Sequence, residues 1–318
     1  MPFKMYKPKF WDYEKLSLES IILLPFVLMY IFFFYLKKIL TKTQIHSIKT
    51  ICIGNIYLGG TGKTPLSIKI AKKLNDKFKV VIIKKMRSKH IDEIKLIEKN
   101  FENIITAKNR NSAIRTAIKN NFNLAILDDG LQDFSFKKNV KIICFDGKNG
   151  LGNMMQIPSG PLRESYKKTS EADFVIINGQ KNKKLEKNLN KINFPENNIF
   201  YSNYKFELKY FEKFKQNNIV AFAGIANPEN FFNLLVDNGF KIQKKIVFPD
   251  HYNFNPLDIE KIKNIAKTHN LKILTTEKDF YRIGMQFRKE IGYIPVNLSI
   301  SNENIFFDKL EKKLNENI

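Results

Sequence analysis

The chain of 318 residues carries 54 Lys and Arg against 31 Asp and Glu, a formal net charge of +23, and at about 100–200 residues per domain it holds one large domain or two modest ones. An apolar fraction of 43% with 28 Phe excludes a disordered chain, and two cysteines, Cys52 and Cys144, exclude a disulfide-stapled secreted domain and most zinc modules. The basic excess is spread among Asn and Ile without a zinc-finger, helix-turn-helix or RNA-binding aromatic pattern, so no nucleic-acid partner is expected.

From Ile21 to Leu36 the chain reads IILLPFVLMYIFFFYL, an uncharged run slightly short of the ~18 residues a membrane span needs. Lys4, Lys7, Lys9 and Lys15 precede it, Lys37, Lys38 and Lys42 follow, and no small-residue cleavage site comes after. A short span, a helix lying in the bilayer interface and a buried core helix all remain open, and membrane association is the expectation. Pro25 suits a first helical turn and would kink a continuous span.

A strand is expected at 50–53, running into a Gly-rich loop and then a helix over 63–74. The loop reads Tyr57-Leu58-Gly59-Gly60-Thr61-Gly62-Lys63-Thr64. Its glycines let backbone N–H groups approach phosphate oxygens, and the helix start adds partial positive charge. Lys63 would reach the β- and γ-phosphates of ATP and Thr64 would ligate Mg²⁺. The strict GxxxxGK[ST] spacing is not met, because Tyr57 occupies the first Gly position. Pro65 is compatible with an early helical position.

A strand at 79–83 and a helix over 111–119 come next. The apolar run 124–127 then delivers Asp128 and Asp129 at its C-terminal end, the edge where open α/β sheets bind ligands. One Asp would hold the Mg²⁺ shell and the other would position an attacking group. Further strands are expected at 141–145 and 174–177. The polar stretch 180–218 breaks the rhythm, and beyond it come a strand at 219–223, helices over 228–238 and 256–269, a strand at 272–274 and a helix near 303–317. Strands alternating with helices imply a mostly parallel α/β sheet of P-loop type. The expected division is an N-terminal membrane-associated helix (1–40), a P-loop core (41–215) and a smaller C-terminal α/β subdomain (216–318). Cys52 and Cys144 fall in apolar runs and read as buried, reduced thiols.

The segments IGNIYLGGTGKTP, IDEIKL, ILDDGLQ, IPSGPLRES, AFAGIANPENFF, FPDHY and LTTEKD follow one another from about residue 20 to about residue 283. With these motifs in this order the chain resembles the tetraacyldisaccharide 4′-kinase family. The resemblance implies a P-loop core joined to a smaller α/β subdomain, with an N-terminal helix docked on the membrane. It implies transfer of the ATP γ-phosphoryl group, with Mg²⁺, to the 4′-hydroxyl of a tetraacylated glucosamine disaccharide 1-phosphate, the lipid A precursor. The implied location is the cytoplasmic face of the inner membrane, against an anionic lipid surface, and no obligate protein partner is inferred.

Carried over by motif, Asp92 in IDEIKL matches the family's catalytic acid and His251 in FPDHY the histidine that pairs with it. Asp128 and Asp129 match the acidic pair near Mg²⁺, and Glu164 in GPLRES matches a further active-site carboxylate. A cationic imidazole beside Asp92 would lower its pKa, whereas a neutral one would relay a hydrogen bond. Two departures stand out. The stretch before Asp92, KKMRSKH, is shorter than the family's and lacks its glycines, so either the loop is rebuilt with Lys84, Lys85 and Arg87 supplying charge or the substrate contacts have changed. Asp133 also follows DDGLQ where the family has His.

Three other readings compete. A membrane-associated P-loop ATPase of the partitioning type would hydrolyse ATP without lipid, and gives no role to GPLRE or PDHY. A basic binding module would bind nucleic acid or lipid in a salt-sensitive way. A family member whose shortened loop has cost it activity would turn over neither substrate.

Overall fold

The computed structural model describes residues 7–13, 15–86, 91–206 and 218–316. Lys4, Arg87, Asn317 and the expected cut between 215 and 216 lie outside them. In chain order the strands are β1 (Lys49–Gly54), β2 (Val80–Lys85), β3 (Ile104–Ala107), β4 (Leu124–Asp128), β5 (Val140–Asp146), β6 (Phe174–Asn178), β7 (Ile199–Phe206), β8 (Asn218–Ala223), β9 (Lys241–Val247), β10 (Lys272–Thr276), β11 (Ile291–Ile294) and β12 (Val296–Ile300). The helices are α1 (Leu18–Ile22), α2 (Leu24–Leu40), α3 (Lys63–Leu74), α4 (Ile91–Asn100), α5 (Arg110–Lys119), α6 (Lys183–Lys191), α7 (Pro228–Asp237), α8 (Pro256–Thr268), α9 (Glu277–Arg282) and α10 (Glu303–Glu316).

The chain divides into two compact units. Among the described residues, the larger comprises 7–13, 15–86, 101–203 and 299–316, the smaller 91–100, 204–206 and 218–298. Single cuts along the chain do not reproduce this division, because α4 belongs with the smaller unit and α10 returns to the larger.

An eight-stranded sheet in the order β12-β7-β6-β5-β1-β4-β2-β3 forms the larger unit. β1 pairs in parallel with both β4 and β5, and β2 with both β3 and β4. Its central strands read as unbroken Ile/Val/Leu runs because both faces are covered. On one face α5 contributes Ala113, Ile114 and Ala117 to a core with Cys52, Val81 and Leu127. Elsewhere Phe306 of α10 stacks edge-on against Phe174 and Phe200. Both thiols are buried and unpaired, and burial pushes Cys52 up to about 11 and Cys144 to about 12, so they stay protonated. The stretch expected to break the rhythm instead supplies α6 and β7: Asn182 caps α6, and Leu185 and Leu189 bury its single apolar stripe.

The N-terminal run is two helices, parted at Leu23, with Pro25 in the first turn of α2. The reading as a buried core helix is overturned. Among the described residues of α2 only Val27 is buried, while Leu28 is 70% exposed, Phe32 61% and Ile39 78%. No described helix is long and apolar enough to cross a membrane. Contacts that fix α2 to the sheet unit include Tyr30 Oη, which donates to the Arg163 carbonyl at 2.9 Å, and Phe34, which meets Phe134 edge-on.

The smaller unit is a parallel sheet in the order β11-β10-β8-β9. Phe231, Phe232 and Leu235 of α7 pack one apolar cluster, and Ile259, Ile262 and Ala266 of α8 pack another. Strand β9, KIQKKIV, is largely exposed at the sheet edge, which its lysines protect against further pairing.

Candidate active site

In the larger unit β1 runs into the Gly-rich loop and α3 starts at Lys63, at the C-terminal edge of the sheet. Gly62 caps the helix at φ 81°, a left-handed conformation that a side chain would strain. Gly59, at φ 141°, has only the Tyr57 ring near the position of an added Cβ, which leaves space above the loop. Thr61 Oγ1 is buried without a hydrogen-bond partner. An orphaned hydroxyl inside an open glycine cradle fits a loop that closes on a phosphate group. The GPLRE segment straps the loop's entrance: Leu58 N–H donates to the Pro161 carbonyl, and Arg163 N–H to that of Ile56.

The acidic pair divides by environment. Asp128 is fully buried, and its carboxylate accepts from Thr64 Oγ1 at 2.8 Å, Ser67 Oγ at 3.2 Å and Lys84 Nζ at 2.6 Å. The parallel register sets Lys84 of β2 opposite Asp128 of β4, so the two strand ends present a buried ion pair. Asp129, at φ 55°, leaves the strand direction and faces Lys63 at 3.6 Å and Arg163 at 3.1 Å. Burial pulls its carboxyl upward, but the charges of Lys63, Arg163, Lys84 and Arg110 hold it well below the usual carboxylate range. Arg110 also grips the turn itself, donating to the carbonyls of Asp128 and Asp129 and to the Asp133 carboxylate. Asp133, the departure from the family pattern, therefore pairs with Arg110 and accepts from Ser135.

Thr64, Lys63, Asp128 and Asp129 are thus brought together. Glu164 is not in direct contact with them. It accepts from Gln132 Nε2 at 2.9 Å, and Gln132 Oε1 in turn accepts from Arg163. Burial raises the Glu164 pKa. Among the described residues no three His, Cys, Asp or Glu side chains converge as a metal cage, so a metal here would rest on a hydroxyl and a carboxylate beside phosphate oxygens.

Asp92 and His251 lie in the smaller unit, and there they meet. His251 Nδ1 is 3.4 Å from Asp92 Oδ2. His251 stands at φ 56°, its N–H held by the Gly224 carbonyl and by Asp250 Oδ1. Asp92, in the first turn of α4, is almost completely buried. Arg282 of α9 donates to its Oδ2 from Nε at 3.0 Å and from Nη2 at 2.6 Å. The same guanidinium donates through Nη1 to Asp279 Oδ1 and to the Gly224 carbonyl, and its Nη2 is 3.3 Å from His251 Nδ1. Lys278 Nζ stands 3.5 Å from both Asp92 Oδ2 and Glu93 Oε1, and 3.5 Å from His251 Nε2. Burial alone would raise the Asp92 pKa, but the His251 hydrogen bond and the Lys278 and Arg282 charges outweigh it and hold the carboxyl far below its ordinary value.

The histidine therefore has two self-consistent tautomers. With the proton on Nδ1 it donates to Asp92 while Nε2 accepts from Lys278. With the proton on Nε2 it faces Asp250 while Nδ1 accepts from Arg282. The sequence reading missed Arg282, Lys278 and Arg110, and named Lys84 as a charge before Asp92 without its pairing to Asp128. Lys278 lies inside LTTEKD, and Arg282 follows one helical turn after Asp279, an i,i+3 spacing that favours an ion pair. Arg87 and the rest of the shortened stretch, 87–90, lie outside the described residues.

Comparison with known proteins adds independent findings. The family model described as tetraacyldisaccharide-1-P 4′-kinase (LpxK) matches residues 19–85 and 84–315. A tetraacyldisaccharide 4′-kinase of Pelagibacter ubique is 40% identical, covering 98% of this chain and 99% of its own. One from Rickettsia bellii is 32% identical over the same shares. Among solved structures, LpxK from Aquifex aeolicus in complex with ATP is 20% identical and superposes with a TM-score of 0.69, covering 93% of this chain and 99% of that one, which establishes a shared fold.

Proposed function

The chain belongs to the tetraacyldisaccharide-1-P 4′-kinase family, and from that premise we propose how its residues transfer the γ-phosphoryl group of ATP to the 4′-hydroxyl of a tetraacylated disaccharide 1-phosphate. The observation that carries the reading is the Asp92–His251 pair held beside Arg282 and Lys278. A sugar hydroxyl does not ionise near neutral pH, and an enzyme that phosphorylates it needs a positioned proton acceptor.

The 4′-oxygen attacks the γ-phosphorus, the bond from phosphorus to the bridging oxygen breaks, ADP leaves, and the hydroxyl proton passes to Asp92. His251 orients Asp92, donating to it from Nδ1 in one tautomer and offering a bare Nδ1 as a proton acceptor in the other. Lys63 and the loop N–H groups hold the phosphates in line. Thr64 and Asp129 would hold Mg²⁺, which neutralises charge on the β- and γ-oxygens when bound. Asp128 orients the Thr64 hydroxyl and is neutralised by Lys84. Purified protein with ATP should therefore consume nucleotide only when the lipid acceptor is present. ATP hydrolysis at the same rate without acceptor contradicts the reading.

Arg282 helps set the acid side of the pH profile, together with His251 and Lys278. Asp92 accepts a proton only while ionised, and the cations around it keep it ionised far into acid. In Arg282→Gln the opposing effect of burial is less offset, so the Asp92 pKa climbs toward or above its ordinary value of about 3.9. The acid limb of kcat should move to higher pH by about one unit or more, read from initial rates across the acid range. A slower enzyme with an unmoved limb would show that Arg282 does not act on the base.

The acceptor's location follows from its own chemistry. Each acyl CH₂ withdrawn from lipid costs about 0.8 kcal/mol, so four chains keep the substrate at the membrane and the enzyme meets it there. The exposed Leu28, Phe32, Phe33 and Ile39 of α2 support this role. Burying one such side chain contributes up to about 1.5–3 kcal/mol, so the triple change Phe32→Ser, Phe33→Ser and Ile39→Ser should lower co-sedimentation with vesicles by about tenfold or more. Unchanged sedimentation counts against α2 as the docking element.

A further inference from the structure

The N-terminal turn Lys9–Asp12 and the start of α1 belong to the larger unit, and none of the roles above uses them. The turn is seated on the segment that straps the Gly-rich loop. Trp11 is almost wholly buried, its Nε1 donates to the Pro158 carbonyl at 3.0 Å, and its own carbonyl accepts from Asn153 N–H at 2.8 Å. Gly152, at φ 59°, lies so close that an added Cβ would stand 2.5 Å from the Trp11 carbonyl oxygen, a clash only glycine avoids. Asn153 Nδ2 continues the seam to Ser20 Oγ of α1 at 3.1 Å and to the Ser159 carbonyl at 2.9 Å, and Ser159 Oγ donates to the Ser20 carbonyl.

The seam ends on the loop itself. Tyr57 stands where the strict phosphate-loop pattern has its first glycine. Its ring is buried with Ile143, Phe145, Leu151 and Leu162, and its backbone bridges Leu162. The same ring lies 3.7 Å from the Cβ position of Gly59, whose carbonyl accepts from Asn55 Nδ2 at 3.0 Å. From this apolar cluster the Tyr57 hydroxyl donates to Asp12 Oδ1 at 2.9 Å. Lys7 Nζ pairs with that carboxylate oxygen at 2.6 Å and also bonds the hydroxyl. Burial and the Asp12 charge raise the Tyr57 pKa, so the phenol stays protonated and keeps donating. A hydroxyl bonded to a carboxylate makes a stronger tie than a neutral pair.

We propose that Asp12 and Tyr57 are positioning residues for ATP: their hydrogen bond holds the Gly-rich loop in the conformation that turns its N–H groups toward the phosphates. Glycines leave a loop conformationally free, and ordering it around a phosphate costs entropy on every binding event. A loop already held by a buried ring and its hydroxyl has less freedom to lose. The inference rests on the reading of this loop as the ATP site, and its first test does not depend on phosphoryl transfer.

That test is calorimetric titration of the full chain with Mg²⁺ and the β,γ-imido analogue of ATP. One net hydrogen bond corresponds to about three- to tenfold in affinity. Tyr57→Phe keeps the ring in its cluster, and Asp12→Ala changes an exposed side chain, so both variants should fold. Each should weaken the analogue by about that factor. Because both remove the same bond, the double variant should bind no more weakly than either single one. Asp12→Asn retains an acceptor oxygen for Tyr57 and should bind within about twofold of the parent. Parent-like binding by Tyr57→Phe or Asp12→Ala overturns the proposal. So does a double variant whose loss is the product of the single losses, or Asp12→Asn binding as weakly as Asp12→Ala.

Kinetics separates positioning from general loosening. In the single variants KM for ATP should rise by the same factor, while KM for the lipid acceptor stays within about twofold. A parallel rise in both, with a lowered unfolding temperature, assigns the pair to overall stability and overturns the proposal. If the parent binds the analogue yet yields no 4′-phosphorylated product, the proposed function falls and the titration still decides the role of Asp12 and Tyr57. A parent that binds no nucleotide overturns this inference outright.

Discussion

Lys63→Ala is expected to lower phosphoryl transfer by about 10²–10³-fold, the usual cost of removing one preorganised contact to developing charge. Lys63 opens α3 at the mouth of the Gly-rich loop and lies 3.6 Å from Asp129. Its ammonium therefore does two things at once. It neutralises phosphate oxygens, and it helps keep the Asp129 carboxyl ionised. The alanine variant loses both, so kcat should fall and KM for ATP should rise together. The fold should survive, because Lys63 is only partly buried and α3 is anchored by Leu66, Ile70 and Leu74. Initial rates with and without lipid acceptor check this, and an intact rate removes the loop from the chemistry.

Asp92→Asn is expected to lower kcat by about 10²–10⁴-fold, the range for losing a general base, with KM for ATP changed by less than about twofold. An amide keeps the shape of the carboxylate and its hydrogen bond to Arg282 but has no proton affinity to offer. The change also leaves Arg282 and Lys278 without the charge between them, so thermal unfolding should be followed alongside the kinetics. A parallel loss of ATP affinity would make Asp92 a nucleotide contact instead of the base.

Where residues close in sequence make one structure, the sequence was readable. Helix α3 runs from Lys63 to Leu74 as its apolar spacing indicates, and β1 and β4 end at the loop and at the acidic pair because Ile/Val/Leu runs stop there. Short or polar elements were not readable. Strand β3 has four residues, β9 is rich in lysine because it is an edge, and α6 shows its two leucines among lysines and asparagines. Helix α4 begins Ile91-Asp92-Glu93 and looks like surface, yet Asp92 is buried because Arg282 meets it from 190 residues away.

The Asp92–His251 contact came from motif resemblance, and nothing local to either residue signals it. The same holds for Lys84 against Asp128, where β-register rather than sequence spacing brings charge to charge. Long-range ion pairs of this kind are what a linear pattern cannot carry. They also hold the Asp92 carboxyl far below its ordinary range.

Phosphorylation of one hydroxyl of a lipid disaccharide is tested by phosphorus–proton correlation NMR of the product formed from tetraacyldisaccharide 1-phosphate, ATP and Mg²⁺ in mixed micelles, with Lys63→Ala as control. The expected product carries a second phosphomonoester coupled to the proton at the 4′ carbon, absent from the control. A phosphate on any other carbon, or ADP formed with no phosphorylated lipid, would contradict it.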